Sequence, residues 1–186
     1  VHLTIPGRYD VMGGSIFGFP LVNIGFNSDV AWSHTVSTAR RFILRELALV
    51  PGNPRAYRYD GVAVEMQPEV VAVDVLQPDG SMARDEHTFW QTQFGPVVVP
   101  SPLIPWSPST AYALTDVNLE NDRGFRQYVE MGQARDLGEL RSALERHVGL
   151  PWVNTVAADS SGNAFYGDIG SIPNVSNAKL ASCSNS

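Results

Sequence analysis

The stretch that decides the fold spans residues 12–36 and reads MGGSIFGFPLVNIGFNSDVAWSHTV. Residues 13–20 are apolar and rich in glycine, which is typical of a turn. Residues 21–26 follow as an apolar run that predicts a buried strand, with the polar Asn23 inside it. The Asn-Ser-Asp sequence of residues 27–29 indicates a second turn, and residues 30–36 alternate as strand residues do. We therefore expect two strands and two turns here.

The strand of residues 30–36 places its large side chains on one face, because alternate residues of a strand point the same way. These side chains are Val30, Trp32, His34 and Val36. A buried Asn23 must find a hydrogen-bond partner, and glycines that bring the backbone close would leave room for a ligand. The pattern favours the wall of a substrate site. A core hairpin with one satisfied Asn is the alternative interpretation.

Composition restricts the class of protein. The chain has 186 residues, of which 44% are hydrophobic and 17% charged, as in ordinary globular domains. The net charge is -6, and the only cluster of basic residues is the pair Arg40 and Arg41, which argues against a nucleic-acid partner. No apolar run approaches the ~20 residues of a membrane-spanning helix, so we expect no membrane insertion.

The rest of the chain predicts an α+β fold that is mostly antiparallel β with one helical pair. Glycine-containing turns should join strand pairs around Gly61 and Gly80, and Asp136 begins a capping-box pattern that opens a helix. Gly149 and Pro151 should end that helix. The predicted elements are strands at residues 1–5, 9–12, 42–50, 70–76, 81–89, 111–114, 152–158 and 164–169, and helices at residues 123–133 and from 137 to about 148.

Two histidines have carboxylates nearby in sequence. His2 has only Asp10 to orient it, and we expect no catalytic role for it. Asp85, Glu86 and His87 are consecutive. Because neighbouring residues of a strand face opposite sides, the three side chains cannot all converge, and a solvated rim is favoured over a catalytic site. The single cysteine, Cys183, supports neither a disulfide framework nor a metal site by itself.

Three segments carry a family resemblance. They read HLTIPGRYDVMGGSIFGFPLVNIGFNSDVAWSHTV, YALTDVNLEN and GLPWVNTVAADSSGNAFYGD, in the same order and spacing as in the β-chain of the penicillin-acylase family of N-terminal-nucleophile hydrolases. Within that family the chain is most similar to acylases that cleave acyl-homoserine lactones and cyclic lipopeptides. The resemblance implies part of a four-layer αββα sandwich. It also implies that residues 1–186 form a single partial domain, an internal segment of an acylase β-chain.

The resemblance implies an N-acyl amide hydrolase in which an N-terminal Ser attacks the carbonyl, using its own amine as base. That Ser, a following His and a downstream Asn fall outside this chain, whereas Val36 matches the residue that donates its backbone N–H to the oxyanion. The positions that match the acyl pocket are Ile16, Phe19, Val22, Asn23, Ile24, Trp32, Tyr128, Trp152 and Val153. Tyr128 stands where a relative has Trp, which leaves the preferred acyl length open.

The resemblance also implies partners and a location. The partners would be the small N-acyl substrate, the α-chain of the same precursor and the rest of the β-chain, in a periplasmic or secreted enzyme without a cofactor. Penicillin G acylases have calcium-binding aspartates shortly after the oxyanion position, but residues 37–41 here read STARR, so we expect no metal there. Two alternatives remain, a penicillin acylase acting on β-lactams and a non-catalytic carbohydrate-binding module that stacks sugars on Trp32, Trp106 and Trp152.

Overall fold

Antiparallel β-strands dominate the computed structural model, which describes residues 1–183. The chain divides into two compact units, one of residues 1–41 with the described residues from 117 onward and one of residues 42–116. In chain order the strands are β1 (His2–Ile5), β2 (Tyr9–Gly14), β3 (Ile24–Phe26), β4 (Val30–Val36), β5 (Phe42–Val50), β6 (Asn53–Tyr59), β7 (Val62–Glu65), β8 (Gln67–Leu76), β9 (Met82–Thr92), β10 (Gly95–Pro96), β11 (Thr110–Asp116), β12 (Val153–Asp159) and β13 (Ala164–Gly167). The helices are α1 (Gly124–Gln133), α2 (Leu137–His147) and α3 (Asn177–Cys183).

The first unit is built on a six-stranded sheet in the order β1-β2-β3-β4-β12-β13. Every neighbouring pair in it is antiparallel. Helices α1 and α2 share one hydrophobic core with this sheet. The core contains Tyr9, Val11, Val22, Val30, Trp32 and Ala157 from the sheet and its loops, and Tyr128, Met131, Leu140, Ala143, Leu144 and Leu150 from the helical part. The large side chains of residues 30–36 share one face, as predicted, and the first of them, Val30 and Trp32, are buried in the core with the helices.

Helix α2 begins where the capping pattern predicts. The side chain of Asp136 accepts a hydrogen bond from the backbone N–H of Glu139 at 2.8 Å, which satisfies one of the free donors of the first turn. The helix also ends just before Gly149, as predicted, although the glycine is not the left-handed residue. Val148, not Gly149, takes the left-handed C-cap conformation, with a φ of 46°. Gly149 is needed instead for close approach, because a β-carbon there would lie 2.7 Å from the backbone of Gly124.

The second unit contains a four-stranded sheet in the order β11-β5-β6-β7 and a three-stranded sheet in the order β10-β9-β8. Its core consists of Leu47, Leu49, Tyr57, Met66, Val97, Ala111 and Ala113. The predicted turns are confirmed: Gly61 and Gly80 both have positive φ, and each lies between two paired strands. The α+β class, mostly antiparallel, is therefore confirmed, while the grouping of the chain into a single partial domain stays a prediction.

Part of the prediction for residues 12–36 is wrong. Gly13 and Gly14 are the last residues of β2, not a turn, and only Ile24–Phe26 of the apolar run forms a strand. The segment before that strand stays irregular because the side chain of Asn23 accepts the backbone N–H of Ile16 at 2.9 Å. That hydrogen bond closes a loop at residues that were predicted to form the first half of a strand.

Two glycines of this region, Gly13 and Gly25, do not leave room for a ligand, whereas a β-carbon on Gly14 or Gly18 would meet nothing within 4 Å. Gly13 and Gly25 are paired across β2 and β3. A β-carbon on Gly13 would lie 2.6 Å from the α-carbon of Gly25 and 2.7 Å from a methyl group of Val22. The missing side chains therefore allow the two strands to pack around Val22, which fills the space.

A further difference concerns Trp152, which was predicted to begin a strand. It precedes β12 and has a left-handed backbone, with a φ of 62°. The side chain of Cys183, for which the sequence supports neither a disulfide framework nor a metal site, lies outside the described part of the chain.

Candidate functional site

The backbone of Val36 points its N–H away from the neighbouring strand. Residues of an antiparallel pair alternate between facing the partner strand and facing away from it. Ser37 faces β12, because its N–H donates to the carbonyl oxygen of Trp152 at 2.8 Å, so Val36 faces the other side. There β3 pairs only with Ala31 and Trp32. No described strand lies opposite the N–H of Val36, which is the arrangement that a donor to a substrate oxygen requires.

On the face of β4 that carries the large side chains, exposure increases toward the end of the strand at Val36. Trp32 is 3% exposed, His34 is partly buried, and Val36 is 80% exposed. Val153 lies directly opposite Val36 in β12, in a pair whose side chains share this face. The sheet thus presents an apolar edge beside the free N–H.

Aromatic rings cover the deeper part of the same face. The ring of His34 lies 5.9 Å from that of Tyr128 in helix α1, and the ring of Phe19 lies 5.4 Å from Tyr128. Phe125, one turn before Tyr128, adds a fourth ring 4.7 Å from Phe19. The structure therefore brings together Phe19, Trp32, His34 and Tyr128, of which three were predicted for the acyl pocket.

Two titratable groups in this cluster have shifted pKa values. Burial lowers the pKa of His34 below its ordinary value of 6.5, outweighing hydrogen bonds to the carbonyls of Asn154 and Asn23 that raise it. His34 is therefore an uncharged imidazole at neutral pH. Burial raises the pKa of the Tyr128 phenol, and a hydrogen bond to the side chain of Asn23 opposes that shift. The cluster carries no charge, which suits an apolar ligand.

Asn23 organises this wall through both of its oxygens. Its side-chain oxygen accepts the backbone N–H of Ile16 at 2.9 Å and the Ser15 hydroxyl at 3.3 Å. Its backbone carbonyl accepts the indole N–H of Trp32 at 2.9 Å. Asn23 is thus a hydrogen-bonded polar residue, as the sequence predicted, and it holds Trp32 and the segment of Ser15 and Ile16 in place.

The remaining predicted pocket residues differ in their surroundings. Val22 is fully buried between Gly13 and Gly25. Ile16, Ile24 and Trp152 are exposed, Trp152 by 46% of its surface. The assignment of Val36 to the oxyanion hole and of the nine residues to the pocket stays a prediction.

Residues 37–41 hold a buried cation of their own. The guanidinium of Arg41 is 2% exposed and contacts a carboxylate oxygen of Asp168 at 2.7 Å. It also donates to the hydroxyl of Ser37 at 2.7 Å, and that hydroxyl donates to the second carboxylate oxygen of Asp168 at 2.7 Å. A calcium ion needs several free oxygen ligands, whereas Arg41 already occupies these. The residues at this place do not fit calcium, and the described residues contain no cluster of three or more His, Cys, Asp or Glu suited to a metal.

The other candidates from the sequence lie outside this site. His2 contacts Asp10 at 2.5 Å and His87 contacts Asp85 at 3.2 Å, both at the exposed surface. Residues 85–87 are exposed, as a solvated rim would be, and the rim interpretation stays a prediction. Trp32 is buried with its indole N–H bonded, so it does not offer the stacking face that a carbohydrate module would need. Helices long and apolar enough to cross a membrane are absent from the part of the chain that the structure describes.

Sequence reasoning missed Ser37, Arg41 and Asp168 as a group, and it missed Phe125 as a pocket ring. The signal for Phe125 was its position three residues before Tyr128 on the same helix face. The pairing of Arg41 with Asp168 had no sequence signal, since the two residues are 127 positions apart.

Comparison with known proteins identifies relatives along the whole chain. The family model described as Penicillin amidase matches residues 1–184. Aculeacin-A acylase of Actinoplanes utahensis is 48% identical over 183 residues, which are 98% of this chain and 23% of that protein. Acyl-homoserine lactone acylase PvdQ of Pseudomonas savastanoi pv. phaseolicola is 45% identical over 184 residues, which are 99% of this chain and 24% of that protein.

A solved structure has the same fold. Thermostable penicillin G acylase from Alcaligenes faecalis superposes with a TM-score of 0.75 at 23% identity, covering 91% of this chain and 29% of that one. The similarity confirms that this chain has the fold of a penicillin acylase segment. The chain spans about a quarter of the length of the curated relatives that it matches. With a family match over nearly all its residues and relatives at 45% and 48% identity, the chain belongs to the penicillin amidase family.

Proposed function

We propose that this chain supplies the acyl-binding wall and one oxyanion donor of an N-acyl amide hydrolase. The substrates would be acyl-homoserine lactones, whose hydrolysis quenches quorum signals, or acylated lipopeptides. The observation that carries the proposal is the N–H of Val36, which faces away from β12 with no described strand opposite it, beside an uncharged aromatic wall. The names of the two curated relatives, an acyl-homoserine lactone acylase and aculeacin-A acylase, support the substrate class.

In this mechanism the acyl chain lies against Phe19, Tyr128 and the other rings, which hold it by excluding water. Burying each methylene contributes about 0.8 kcal/mol, so a wall of this kind favours long chains. The scissile carbonyl lies beside Val36, whose N–H donates to the oxygen as negative charge develops on it. That donor is fixed in advance by β4, so it needs no reorganisation in the transition state.

The nucleophile is proposed to come from a part of the enzyme outside this chain. An N-terminal Ser would attack the carbonyl with its own α-amino group as base, because such an amine titrates near neutral pH, at about 8. The full protein that carries this chain, here called the parent protein, would contain an α-chain and further β-chain segments. Residues 1–186 would be one partial domain of it, and we propose a periplasmic or secreted location.

The test is product analysis with the purified, matured parent protein. N-acyl-homoserine lactones with four to twelve acyl carbons, an acylated cyclic lipopeptide and penicillin G are each incubated with it. We expect free homoserine lactone and fatty acid, identified by mass spectrometry. Ring opening without amide cleavage would show a lactonase and contradict the proposal. Preferred cleavage of penicillin G would support the β-lactam alternative, and the absence of any amide hydrolysis would refute the acylase assignment.

A further inference from the structure

The buried guanidinium of Arg41 ends the segment that follows Val36, and it is held on two sides. One guanidinium nitrogen contacts Asp168 at 2.7 Å, and the other donates to the hydroxyl of Ser37 at 2.7 Å. Asp168 follows β13, so the contact joins two segments that are far apart in sequence. Arg41 is buried and Asp168 is partly exposed, and such a pair is weak evidence for stability, because desolvation of the guanidinium offsets the attraction between the charges. A role in fixing geometry is the better explanation for it.

The hydroxyl of Ser37 can have only one orientation in this network. An arginine can only donate and an ionised carboxylate can only accept, so the hydroxyl accepts from Arg41 and donates to Asp168. It also accepts the backbone N–H of Ala39 at 3.1 Å. Burial raises the pKa of Asp168. The hydrogen bonds from Ser37 and Arg41, together with the charge of Arg41, lower this pKa by more than burial raises it, so the net shift is downward. These bonds join the three side chains into one network, in which the Nε of Arg41 is buried without a hydrogen-bond partner among the described residues.

Ser37 carries this rigidity to the candidate site through its backbone. Its N–H donates to the carbonyl oxygen of Trp152 at 2.8 Å, and Trp152 has the left-handed φ of 62°. The carbonyl of Val36 accepts from the side chain of Asn154 at 3.3 Å. Two contacts therefore fix the backbone at Val36. One is the network of the next residue, Ser37, and the other is the hydrogen bond from Asn154 of β12.

We propose that Arg41 is a positioning residue that acts through Ser37 and Asp168. The network holds the Val36 N–H in the direction that the register between β4 and β12 gives it and, through the carbonyl of Trp152, holds the indole in place at the acyl wall. This inference rests on the proposed function, since it concerns the geometry of the same oxyanion donor. A displacement of about 1 Å at a catalytic group can cost about 10²-fold in rate, so loss of the network should be visible in kcat.

The test uses the matured parent protein with Arg41→Lys and Ser37→Ala. Lysine keeps the positive charge but lacks the planar fork that contacts two partners at once. Ser37→Ala removes the bridging hydroxyl with a smaller change in volume, so it remains informative if Arg41→Lys does not mature. For each protein, kcat per titrated active site, KM and the melting temperature are measured with a short-chain and a long-chain N-acyl-homoserine lactone.

A matched control is available in the same unit. His147 is a buried residue of α2 whose ring nitrogen contacts Glu130 at 2.9 Å, and the hydrogen bonds described for Ser37 involve neither residue. His147→Gln should lower the melting temperature while leaving kcat per active site within about two-fold, as expected for a site away from the chemistry. Arg41→Lys and Ser37→Ala should lower kcat by roughly ten-fold or more at both chain lengths. The expected loss is smaller than the roughly 10²–10³-fold cost of removing an oxyanion donor, because the Val36 N–H is displaced but still present.

The outcomes separate the two proposals. If the unmodified parent protein cleaves N-acyl amides but both variants keep kcat within two-fold per active site, the network is only structural and the positioning role is wrong. The same conclusion follows if kcat falls no further than in His147→Gln at equal loss of melting temperature. If the unmodified protein cleaves no N-acyl amide, the proposed function has failed, and that result is seen before any variant is made.

Discussion

The N–H of Ser37 and the carbonyl oxygen of Trp152 are 2.8 Å apart and join the end of β4 to the residue before β12. Trp152 makes this contact from the left-handed region, which costs a residue with a β-carbon roughly 1–2 kcal/mol. The strain is retained at the point where the predicted oxyanion donor, Val36, adjoins the predicted acyl wall. Changes at either end of this hydrogen bond should therefore affect both features.

Val36→Pro in the parent protein should lower kcat by about 10²–10³, because it deletes one oxyanion donor. The N–H of Val36 makes no bond to β12, so the proline removes no ladder hydrogen bond there. Val36→Ala keeps the donor and should stay within about ten-fold of the unmodified rate. Circular dichroism and a check of maturation show whether the proline variant is folded. A folded, matured Val36→Pro enzyme with near-normal kcat would exclude Val36 as the donor.

Trp152→Ala should weaken the binding of long acyl chains more than that of short ones, by roughly 0.8 kcal/mol for each methylene that is no longer buried. The measurement is kcat/KM for substrates with four and twelve acyl carbons. An equal loss for both would remove Trp152 from the pocket. Trp152→Gly, which lacks the same indole, should be more stable than Trp152→Ala by about 1 kcal/mol because glycine adopts a positive φ without strain.

Gly13→Ala should destabilise the parent protein by about 1–3 kcal/mol or prevent its maturation, because the new methyl group meets the backbone of Gly25 and the side chain of Val22. Gly14→Ala is the matched control, since a β-carbon there meets nothing within 4 Å. It should change the free energy of unfolding by no more than about 0.5 kcal/mol. Equal denaturation midpoints in urea for the two variants would show that β2 and β3 do not pack as closely as described.

Asn23→Ala should cost about 0.5–1.5 kcal/mol of stability for each hydrogen bond lost from Ile16 and Ser15. The aromatic wall should also loosen, because the phenol of Tyr128 loses its partner. Urea unfolding reports the first effect, and a rise in KM for long-chain substrates reports the second. Unchanged KM with reduced stability would confine Asn23 to a structural role.

Asp168 should make the protein less stable in acid. Its pKa in the folded state is below the ordinary value of 3.8, so between the two values the unfolded chain binds more protons than the folded one. The stabilisation is therefore complete above about pH 4 and is lost as the pH falls through the lower, folded-state pKa. The melting temperatures of the unmodified protein and of Asp168→Asn should converge as the pH falls below about 4. A difference in melting temperature that is the same at every pH would contradict a lowered pKa of Asp168 in the folded protein.

Local sequence determined the elements that local forces can form. The alternation of residues 30–36 predicted β4 and its buried face, and the apolar run of residues 42–50 predicted β5 with the bounds that the structure gives. The glycines at positions 61 and 80 predicted hairpin turns, and Asp136 with Glu139 predicted the start of α2. Each of these depends on residues a few positions apart, so no tertiary contact is needed to foresee it.

Several features of the candidate site were not determined in this way. The close approach of Gly13 to Gly25, the left-handed backbone of Trp152 and the left-handed C-cap at Val148 each depend on packing against another segment. Local propensity opposes the last two, because residues with a β-carbon avoid positive φ. Only the surrounding contacts make these conformations the stable ones.

The sequence alone determined that an apolar wall with one polar residue, Asn23, adjoins a strand ending at Val36. It did so because side-chain polarity and alternation are local properties of the chain. Tertiary structure alone decided which way the N–H of Val36 points, since that direction follows from the register between β4 and β12. It also decided that Arg41 is neutralised by Asp168, 127 residues away, because a buried guanidinium is stable only where folding brings it a carboxylate.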